Sequence, residues 1–194
     1  MMPFAGMSAT AERVVDAAEC LIQQHGYNGF SYEDVARQVG IKKPSIHHHF
    51  STKAELAAMV ARRYTQRFRE QLHGIEERHA IAPARLKAYA ALFEQTFADE
   101  KRLCVCGMLG AEADSLPDEV TSEVTRFFKA NLDWLTAVVA EGQQASLIRP
   151  KPSSAAIAET FLCALEGAMV VGRGMRSSRG PAAAGAVLLA TLRT

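Results

Sequence analysis

Apolar residues recur every three or four positions along most of the chain, and this spacing constrains the fold more than any other feature. In "ATAERVVDAAECLIQQHG" the stripe runs through Val14, Ala18 and Ile22, which is the pattern of a helix with one buried face. Residues 83–194 show the same spacing and no strand-like alternation. We therefore predict an all-α fold of about nine helices.

Composition bounds the class of protein. The 194 residues are 48% hydrophobic and 22% charged, which is enough to bury the core of a globular protein. The formal net charge of +1 gives no bulk attraction for nucleic acid, so any such function must depend on where the charges lie. None of the four cysteines forms a C-x-x-C pair, which argues against a zinc ribbon or a thioredoxin-like motif.

Two observations favour a soluble cytoplasmic protein. Residues 1–9 lack the basic and apolar regions of a secretory leader. The most apolar later stretch, "AAIAETFLCALEGAMVVG", is interrupted by Glu159 and Glu166, which argues against a membrane span. We therefore expect reduced thiols and no membrane partner.

Charge is segregated along the first third of the chain. Residues 9–36 are predominantly acidic, with Arg13 as their only basic residue before the balance inverts over residues 37–69. The basic side chains of that second stretch are Arg37, Lys42, Lys43, Lys53, Arg62, Arg63, Arg67 and Arg69. Solvated helix faces would explain part of this pattern, but so local a surplus is typical of a surface that meets phosphates.

Local signals after the first helix predict a short second helix. Gly26 is placed to end the first helix, because glycine readily adopts the left-handed backbone of a helix C-terminus. Ser31 is a good N-cap for the next helix, since its hydroxyl can accept from a free backbone N–H. Gly40 is placed to end that helix.

A third short helix and a longer fourth one follow. Pro44 suits the first turn of a helix over about residues 43–49, because its missing N–H needs no partner there. Thr52 and Glu55 have the spacing of a capping box for the fourth helix. Two short helices joined by a tight turn and braced by the first helix form a helix-turn-helix unit.

The stretch "GYNGFSYEDVARQVGIKKPSIHHHFSTKAEL" resembles the N-terminal DNA-binding domain of TetR/AcrR-type bacterial regulators. The shared features are an initial G-[YF]-x-x-[FT]-[ST], an A-x-x-x-G-[VI] turn, the Pro-Ser helix start, the closing [YH]-[YH]-H-F, and a Lys-x-Glu-Leu that opens the next helix. The resemblance covers about residues 9–56 closely. It implies that the third helix reads the major groove of an operator.

The resemblance also implies which residues meet DNA. They are Tyr32, Lys43, Pro44, Ser45, His47, His48, His49 and Lys53. Of these, Tyr32, His49 and Lys53 match positions that meet phosphates, and the others match positions that reach base edges or the nearby backbone. The family commonly has tyrosine where this chain has His47 and His48. Ile46 and Phe50 are expected to point inward.

The three consecutive histidines invite a metal-site interpretation, which helix geometry opposes. Successive residues of a helix point about 100° apart, so His47, His48 and His49 fan around the axis. Histidine pairs that share an ion on a helix have i,i+3 or i,i+4 spacing. We therefore predict no metal site there and no cofactor elsewhere.

Residues 70–194 are predicted to form a second helical domain after a DNA-binding domain of residues 9–69. Long helices are expected over about residues 118–144, 154–175 and 181–192. The resemblance implies that this domain holds a small-molecule effector and forms a homodimer through its last two helices. Their small residues would allow close helix packing, although such residues are more often ordinary core.

The motif "RLCVCGMLGAE" raises the question of a thiol sensor. Cys104 and Cys106 lie two residues apart, so on a regular helix they cannot easily form a mutual disulfide or share a metal. They are either buried small hydrophobes, sensors activated by a helix N-terminus and the adjacent Arg102, or contacts for a non-covalent effector. Within the family the motif resembles a branch in which the residue matching Cys104 senses electrophiles, aldehydes or oxidants, followed by a glutamate, here Glu112.

The candidate effector contacts beside Cys104 are Phe97, Met108 and Trp134. The favoured function is a DNA-binding transcriptional regulator, a repressor that a small-molecule or thiol-reactive effector releases from a palindromic operator. An all-helical enzyme is the rival, but the chain has no H-E-x-x-H, G-x-S-x-G, P-loop or G-x-G-x-x-G motif. An architectural DNA-binding protein without an effector is a third possibility. Operator sequence, effector, target genes and the choice between repression and activation stay open.

Overall fold

The computed structural model describes residues 7–177 and 179–193, and within those ranges it contains helices and no strand. The helices are α1 (Ala9–His25), α2 (Tyr32–Val39), α3 (Lys43–His49), α4 (Lys53–Arg78), α5 (Ala82–Ala98), α6 (Val105–Gly110), α7 (Asp118–Gln144), α8 (Ser154–Gly174) and α9 (Pro181–Leu192). A short 3-10 turn spans Ala113–Ser115. The predicted all-α fold of about nine helices is confirmed.

Helix boundaries follow the local signals. Gly26 ends α1 at φ 77°, and Gly40 ends α2 in the left-handed region at φ 75°. The Ser31 side chain accepts from the backbone N–H of Asp34, while the Asp34 carboxylate accepts from the backbone N–H of Ser31. This reciprocal capping box fixes where α2 begins, and it confirms Ser31 as the N-cap.

The start of α4 is only partly as predicted. The Thr52 hydroxyl accepts from the backbone N–H of Glu55 at 3.0 Å, as a capping residue should. The Glu55 carboxylate, however, accepts from the backbone N–H of Ser51 at 2.8 Å. The Glu55 carboxylate therefore binds the backbone N–H of Ser51 instead of that of Thr52, and this hydrogen bond fixes the turn between α3 and α4.

The chain forms two compact units, and each combines separate stretches of sequence. The first unit comprises residues up to Arg67 together with Val105–Phe127. The second comprises Phe68–Cys104 together with the residues from Phe128 onward. Both α4 and α7 therefore contribute residues to both units.

This division differs from the contiguous domains 9–69 and 70–194 that the sequence suggested. Residues 105–127 join the first unit because their side chains bind it directly. Arg62 of α4 donates through Nε and Nη2 to one carboxylate oxygen of Glu123, at 3.1 and 2.8 Å. Such contacts between distant stretches of chain cannot be read from local spacing.

A buried ion pair joins α1 to α4 inside the first unit. Arg63 is 6% exposed, and its guanidinium lies 2.6 Å from Asp16 and 3.1 Å from Glu19. Arg67 also binds Glu19. A buried guanidinium needs such partners, because an unpaired charge away from water is strongly unfavourable.

An aromatic cluster fills the second unit around Tyr89, which is fully buried. Its hydroxyl donates to the Asn131 side-chain oxygen at 2.7 Å. The Tyr89 ring stacks on Trp134 at 5.5 Å between centroids and lies 5.3 Å from Phe93 and 6.3 Å from Phe161. This cluster links α5, α7 and α8.

Helix α8 is long and apolar enough to cross a membrane by length and composition alone, with a mean hydropathy of 1.6. Core helices of soluble proteins pass the same test. In α8, Glu166 interrupts the apolar run, and Phe161, Leu165 and Met169 are buried among other helices. The composition of α8 is therefore weak evidence for a membrane span.

Replacing Arg63 by alanine tests the ion pair that joins α1 to α4. We expect the free energy of unfolding to fall by about 2–4 kcal/mol, because Glu19 stays mostly buried with one partner fewer, while the exposed Asp16 limits the loss. Arg69→Ala removes an exposed arginine of the same helix and should change stability by less than about 0.5 kcal/mol. Urea denaturation measures both, and equal effects of the two variants would contradict the assignment.

Candidate functional site

Helix α3 presents a polar face to solvent and one anchor to the core. Ile46 is fully buried, and Phe50 just after the helix is 4% exposed, so both point inward as predicted. The remaining side chains up to His48 are exposed: Lys42, Lys43, Pro44, Ser45, His47 and His48. Lys42 was not among the predicted contacts, yet it precedes the helix on the same exposed surface.

The histidines of α3 have separate surroundings. His47 places Nδ1 3.3 Å from the Ser51 carbonyl oxygen, and its ring meets the ring of Tyr32 edge-on at 4.8 Å. The rings of His48 and His49 are 5.3 Å apart, and His49 is half-buried. Among the described residues, no three His, Cys, Asp or Glu side chains are placed to hold a metal ion.

The structure does not support the predicted phosphate contact of Tyr32. This residue is 6% exposed, and its hydroxyl donates to the backbone carbonyl of Phe50 at 3.0 Å. Burial, with a smaller effect from the Glu55 carboxylate, raises the pKa of Tyr32 to about 12. The hydroxyl therefore joins α2 to the end of α3 and positions α3 from within.

Lys53 also has an internal partner instead of a free ammonium. Its Nζ donates to the Phe30 carbonyl at 2.5 Å and lies over the rings of Phe30 and Tyr27, at 4.4 and 4.6 Å from their centroids. Burial lowers the pKa of Lys53. The predicted phosphate contact would require this ammonium to leave the carbonyl and both rings.

Much of the basic surplus in residues 37–69 is neutralised within the first unit. Arg63 and Arg67 bind acidic residues of α1, and Arg62 binds Glu123. On the surface of the helix-turn-helix, Lys43 lies 3.0 Å from Glu33. Charge segregation along the sequence therefore reflects internal ion pairing more than a phosphate-binding surface.

The predicted effector contacts fall in different units. Cys104, Phe97 and Trp134 belong to the second unit, whereas the half-buried Met108 belongs to the first. Phe97 is 1% exposed and lies against Gly172, where an added Cβ would be 2.8 Å from the ring. Trp134 donates through its indole N–H to Glu76 at 2.8 Å.

A groove of about 730 Å³ lies between α5 and α9 in the second unit. Its lining is mostly alanine, with Leu189, Lys87 and Arg193 among the larger residues. None of the predicted effector contacts lines this groove. The sequence therefore gave no indication of it.

Cys104 lies among buried groups that differ from those expected. It precedes α6 and is 1% exposed, and Arg102 is engaged with Asp99 at 3.0 Å. The thiol instead forms a hydrogen bond with the carboxyl group of Glu166 on α8. Cys104 therefore lies at a helix N-terminus as expected, and its activation as a sensor stays a prediction.

Glu166 was not identified from the sequence as a site residue, although a charged residue within an apolar helix could have indicated one. It is the charge that interrupts an apolar helix, and such a residue usually has a specific partner. Burial raises the pKa of Glu166 to about 7, against a smaller lowering by the hydrogen bond from Cys104. Tyr89 lies close enough that its own pKa, raised mainly by burial, is raised further by Glu166 and Cys104.

Glu112 at the end of the cysteine motif holds the turn between α1 and α2. Its carboxylate accepts from the backbone N–H groups of Tyr27 and Asn28, the latter at 3.2 Å, and from the Asn28 side-chain amide at 3.2 Å. Gly26 leaves room for this carboxylate, since an added Cβ would lie 2.8 Å from it. The motif is thereby connected to the helix-turn-helix within one unit.

Two family models match the chain. Residues 14–60 match the model of bacterial regulatory proteins of the tetR family. Residues 82–188, more than half of the chain, match the tetracyclin repressor-like C-terminal domain.

Solved structures and curated proteins agree with these matches. A TetR-family transcriptional regulator from Agrobacterium tumefaciens has a TM-score of 0.87 and 32% identity, over 96% of this chain and 98% of that one. The transcriptional regulator AcuR of Cereibacter sphaeroides is 24% identical over 152 residues, which are 77% of this chain and 69% of AcuR. The icaADBC negative regulator IcaR of Staphylococcus aureus is 36% identical over 45 residues, which are 23% of this chain and 24% of IcaR. The chain therefore belongs to the tetR family of bacterial regulatory proteins.

Proposed function

We propose that the protein is a cytoplasmic transcriptional repressor that binds a palindromic operator and is released by a small-molecule or thiol-reactive effector. The observation that carries the proposal is the surface of α3, where Ile46 anchors a helix whose other side chains face solvent. A helix presented in this way fits the major groove, which can admit one α-helix. The negative regulator IcaR, which is 36% identical to this chain over 45 residues, supports repression over activation.

The proposed DNA contacts are the exposed residues of α3 and its N-terminus. They are Lys42, Lys43, Pro44, Ser45, His47, His48 and, at the edge, His49. Tyr32 and Lys53 support this surface through Phe50 and Phe30 and are not among the proposed contacts.

A homodimer through α8 and α9 is part of the proposal. Large apolar residues are exposed on these helices, with Val171 at 58% and Val187 at 66%, and Met175, which follows α8, is 74% exposed. Added Cβ atoms at Gly167 and Gly174 would meet nothing, so a second helix could approach closely there. A two-fold dimer would place two α3 helices on half-sites about 34–36 Å apart, or a multiple of that distance.

We propose that Glu112 carries the effector signal to the DNA-binding surface. Cys104 and Glu112 lie in one short stretch of chain. The Glu112 carboxylate accepts hydrogen bonds from Tyr27 and Asn28 in the turn that precedes α2. A change at Cys104 that moves this stretch would move the turn as well. The operator affinity would then fall because α3 no longer matches the groove.

The two rival functions are an all-helical enzyme and an architectural DNA-binding protein without an effector, and neither has a specific observation in its favour. Among the described residues, no group of three or more His, Cys, Asp or Glu side chains is placed to hold a catalytic metal ion, and both matched family models describe regulators. We therefore propose that the protein is not an enzyme.

Lys42→Ala tests the α3 surface. We expect weaker binding to any short duplex at low salt, and a logarithmic slope of affinity against salt that is smaller by about 1, because one phosphate contact is lost. Lys87→Ala removes an exposed lysine of α5 and should leave the slope unchanged. Fluorescence anisotropy over a salt series measures both. Equal slopes for wild type and Lys42→Ala would exclude this contact.

Val171→Asp tests the dimer surface. A buried aspartate at the α8 contact would disfavour association, so we expect sedimentation as a monomer at micromolar concentration and reduced operator affinity. The matched control is Ile81→Asp, which changes a residue of similar exposure (52%) outside α8 and α9 and should remain dimeric. A dimeric Val171→Asp protein would show that another surface is used.

Glu112→Ala tests the coupling. We expect N-ethylmaleimide to lower operator binding by wild type. The unreacted Glu112→Ala variant should bind DNA within a few-fold of wild type, and N-ethylmaleimide should no longer lower its binding. Asp114→Ala alters an exposed carboxylate of the same stretch and should respond as wild type does. A fully responsive Glu112→Ala protein would contradict the proposed route.

A further inference from the structure

A thiol and a carboxyl group meet inside the second unit, away from the DNA-binding surface. Cys104 is 1% exposed and is hydrogen-bonded to the carboxyl group of Glu166. One carboxyl oxygen of Glu166, Oε1, is buried and has no hydrogen-bond partner among the described residues. Glu166 as a whole is half-buried, so it is the end of the side chain that turns inward. Buried carboxyl oxygens seldom lack a partner, and such an atom in a protein interior points to a functional role.

The surroundings of this pair are apolar. Tyr89 is fully buried, and its pKa, raised mainly by burial, is raised further by Glu166 and Cys104, so the three groups share one interior. The Tyr89 ring is covered by Phe93 and Phe161. Charges interact strongly in such surroundings, because little water is present to screen them.

This setting limits the charge of the pair. If the thiol lost its proton while Glu166 was ionised, two negative charges would face each other in the interior, which is strongly unfavourable. Transfer of the thiol proton to the Glu166 carboxylate keeps the total charge at one negative unit. Cys104 can therefore act as a nucleophile when Glu166 takes its proton during the reaction.

We propose that Cys104 and Glu166 form a reactive pair that adds small, uncharged α,β-unsaturated carbonyl compounds, with Glu166 as the base. This inference rests on the proposed function, since the adduct would be the effector signal. The sulfur forms a bond to the β-carbon, the electron pair of the C=C bond moves to give the enolate, and the thiol proton passes to Glu166. Glu166 then protonates the α-carbon, which leaves a thioether and restores the carboxylate without an oxidant or a leaving group.

The same charge balance selects the reagent. An anionic acceptor such as acrylate would bring a second negative charge next to Glu166, whereas a neutral ketone or ester would not. Reaction with an alkyl halide would leave the thiol proton on the buried carboxyl group of Glu166, because no enolate is formed that could accept it. Conjugate addition ends with the pair in its starting charge state.

The pH dependence of the reaction reports which group is the base. Burial raises the pKa of Glu166 to about 7, so the carboxylate that accepts the proton is present above that pH and is lost as the pH falls through it. The titratable groups facing it are Tyr89 of α5, whose pKa is raised well above its usual value, and Cys104, while α9 has no titratable residue. The rate should therefore rise through about pH 7 and level off. An unassisted thiol would keep accelerating through its own ionisation near pH 8.5.

The experiment treats the full-length protein with methyl vinyl ketone from pH 5.5 to 9 and follows adduct formation by intact-protein and peptide mass spectrometry. Wild type should form one adduct at Cys104 with the levelling profile. Glu166→Gln should react at least about tenfold more slowly at pH 7.5, since general-base assistance is lost. Glu159→Gln, which alters an exposed glutamate of the same helix, should react as wild type does. The ratio of the reaction rate of methyl acrylate to that of acrylate should be larger at Cys104 than with N-acetylcysteine in solution.

Two results would overturn the reactive pair: a wild-type rate that keeps rising above pH 8, or equal rates for wild type and Glu166→Gln. The wild-type profile decides the question even if Glu166→Gln does not fold. DNA binding is measured in parallel on the same samples. A Glu166-dependent adduct that leaves DNA affinity unchanged would support the pair and refute its role as the effector signal, whereas absence of DNA binding would refute the regulator itself.

Discussion

One carboxylate holds together the parts of the first unit that matter for function. Glu112 accepts hydrogen bonds from the backbone of Tyr27 and Asn28, and so fixes the turn from which α2 and then α3 follow. The Asn28 side-chain amide adds a second connection to the same stretch, since it also donates to the Ser115 hydroxyl at 2.9 Å. The proposed regulation depends on the Glu112 contact, because a signal at Cys104 must reach α3 through some part of the chain.

The electrostatics of the molecule divide into an internal and an external part. Arginines of α4 are paired with carboxylates of α1 and α7, which makes them elements of the fold. The proposed DNA contacts lie elsewhere, around Lys42 and Lys43 at the start of α3. This explains how a chain with a net charge of +1 can present a DNA-binding surface. In the second unit, the pairing of Glu166 with a thiol instead of a cation leaves a buried group available for chemistry.

Sequence alone predicted the helices well because their ends are set by local chemistry. The predicted third helix, residues 43–49, matches α3, and Gly40 and Ser31 act where their types suggested. The internal partners of Tyr32 and Lys53 could not be predicted, because an amphipathic side chain can turn its polar end to solvent or to a nearby carbonyl, and only the folded chain decides. The contacts of Glu112 and Glu166 join residues far apart in sequence, so no local spacing reveals them. The assignment of individual DNA and effector contacts remains a prediction.

Capture of genomic DNA tests the central claim most directly. The purified protein is mixed with fragmented DNA of its own genome, with and without methyl vinyl ketone, and the retained fragments are sequenced. The account predicts a small set of fragments that share an inverted repeat and are lost after treatment of wild type but retained by Cys104→Ser. Retention of fragments without a common sequence, or of the same fragments from treated wild type, would contradict it.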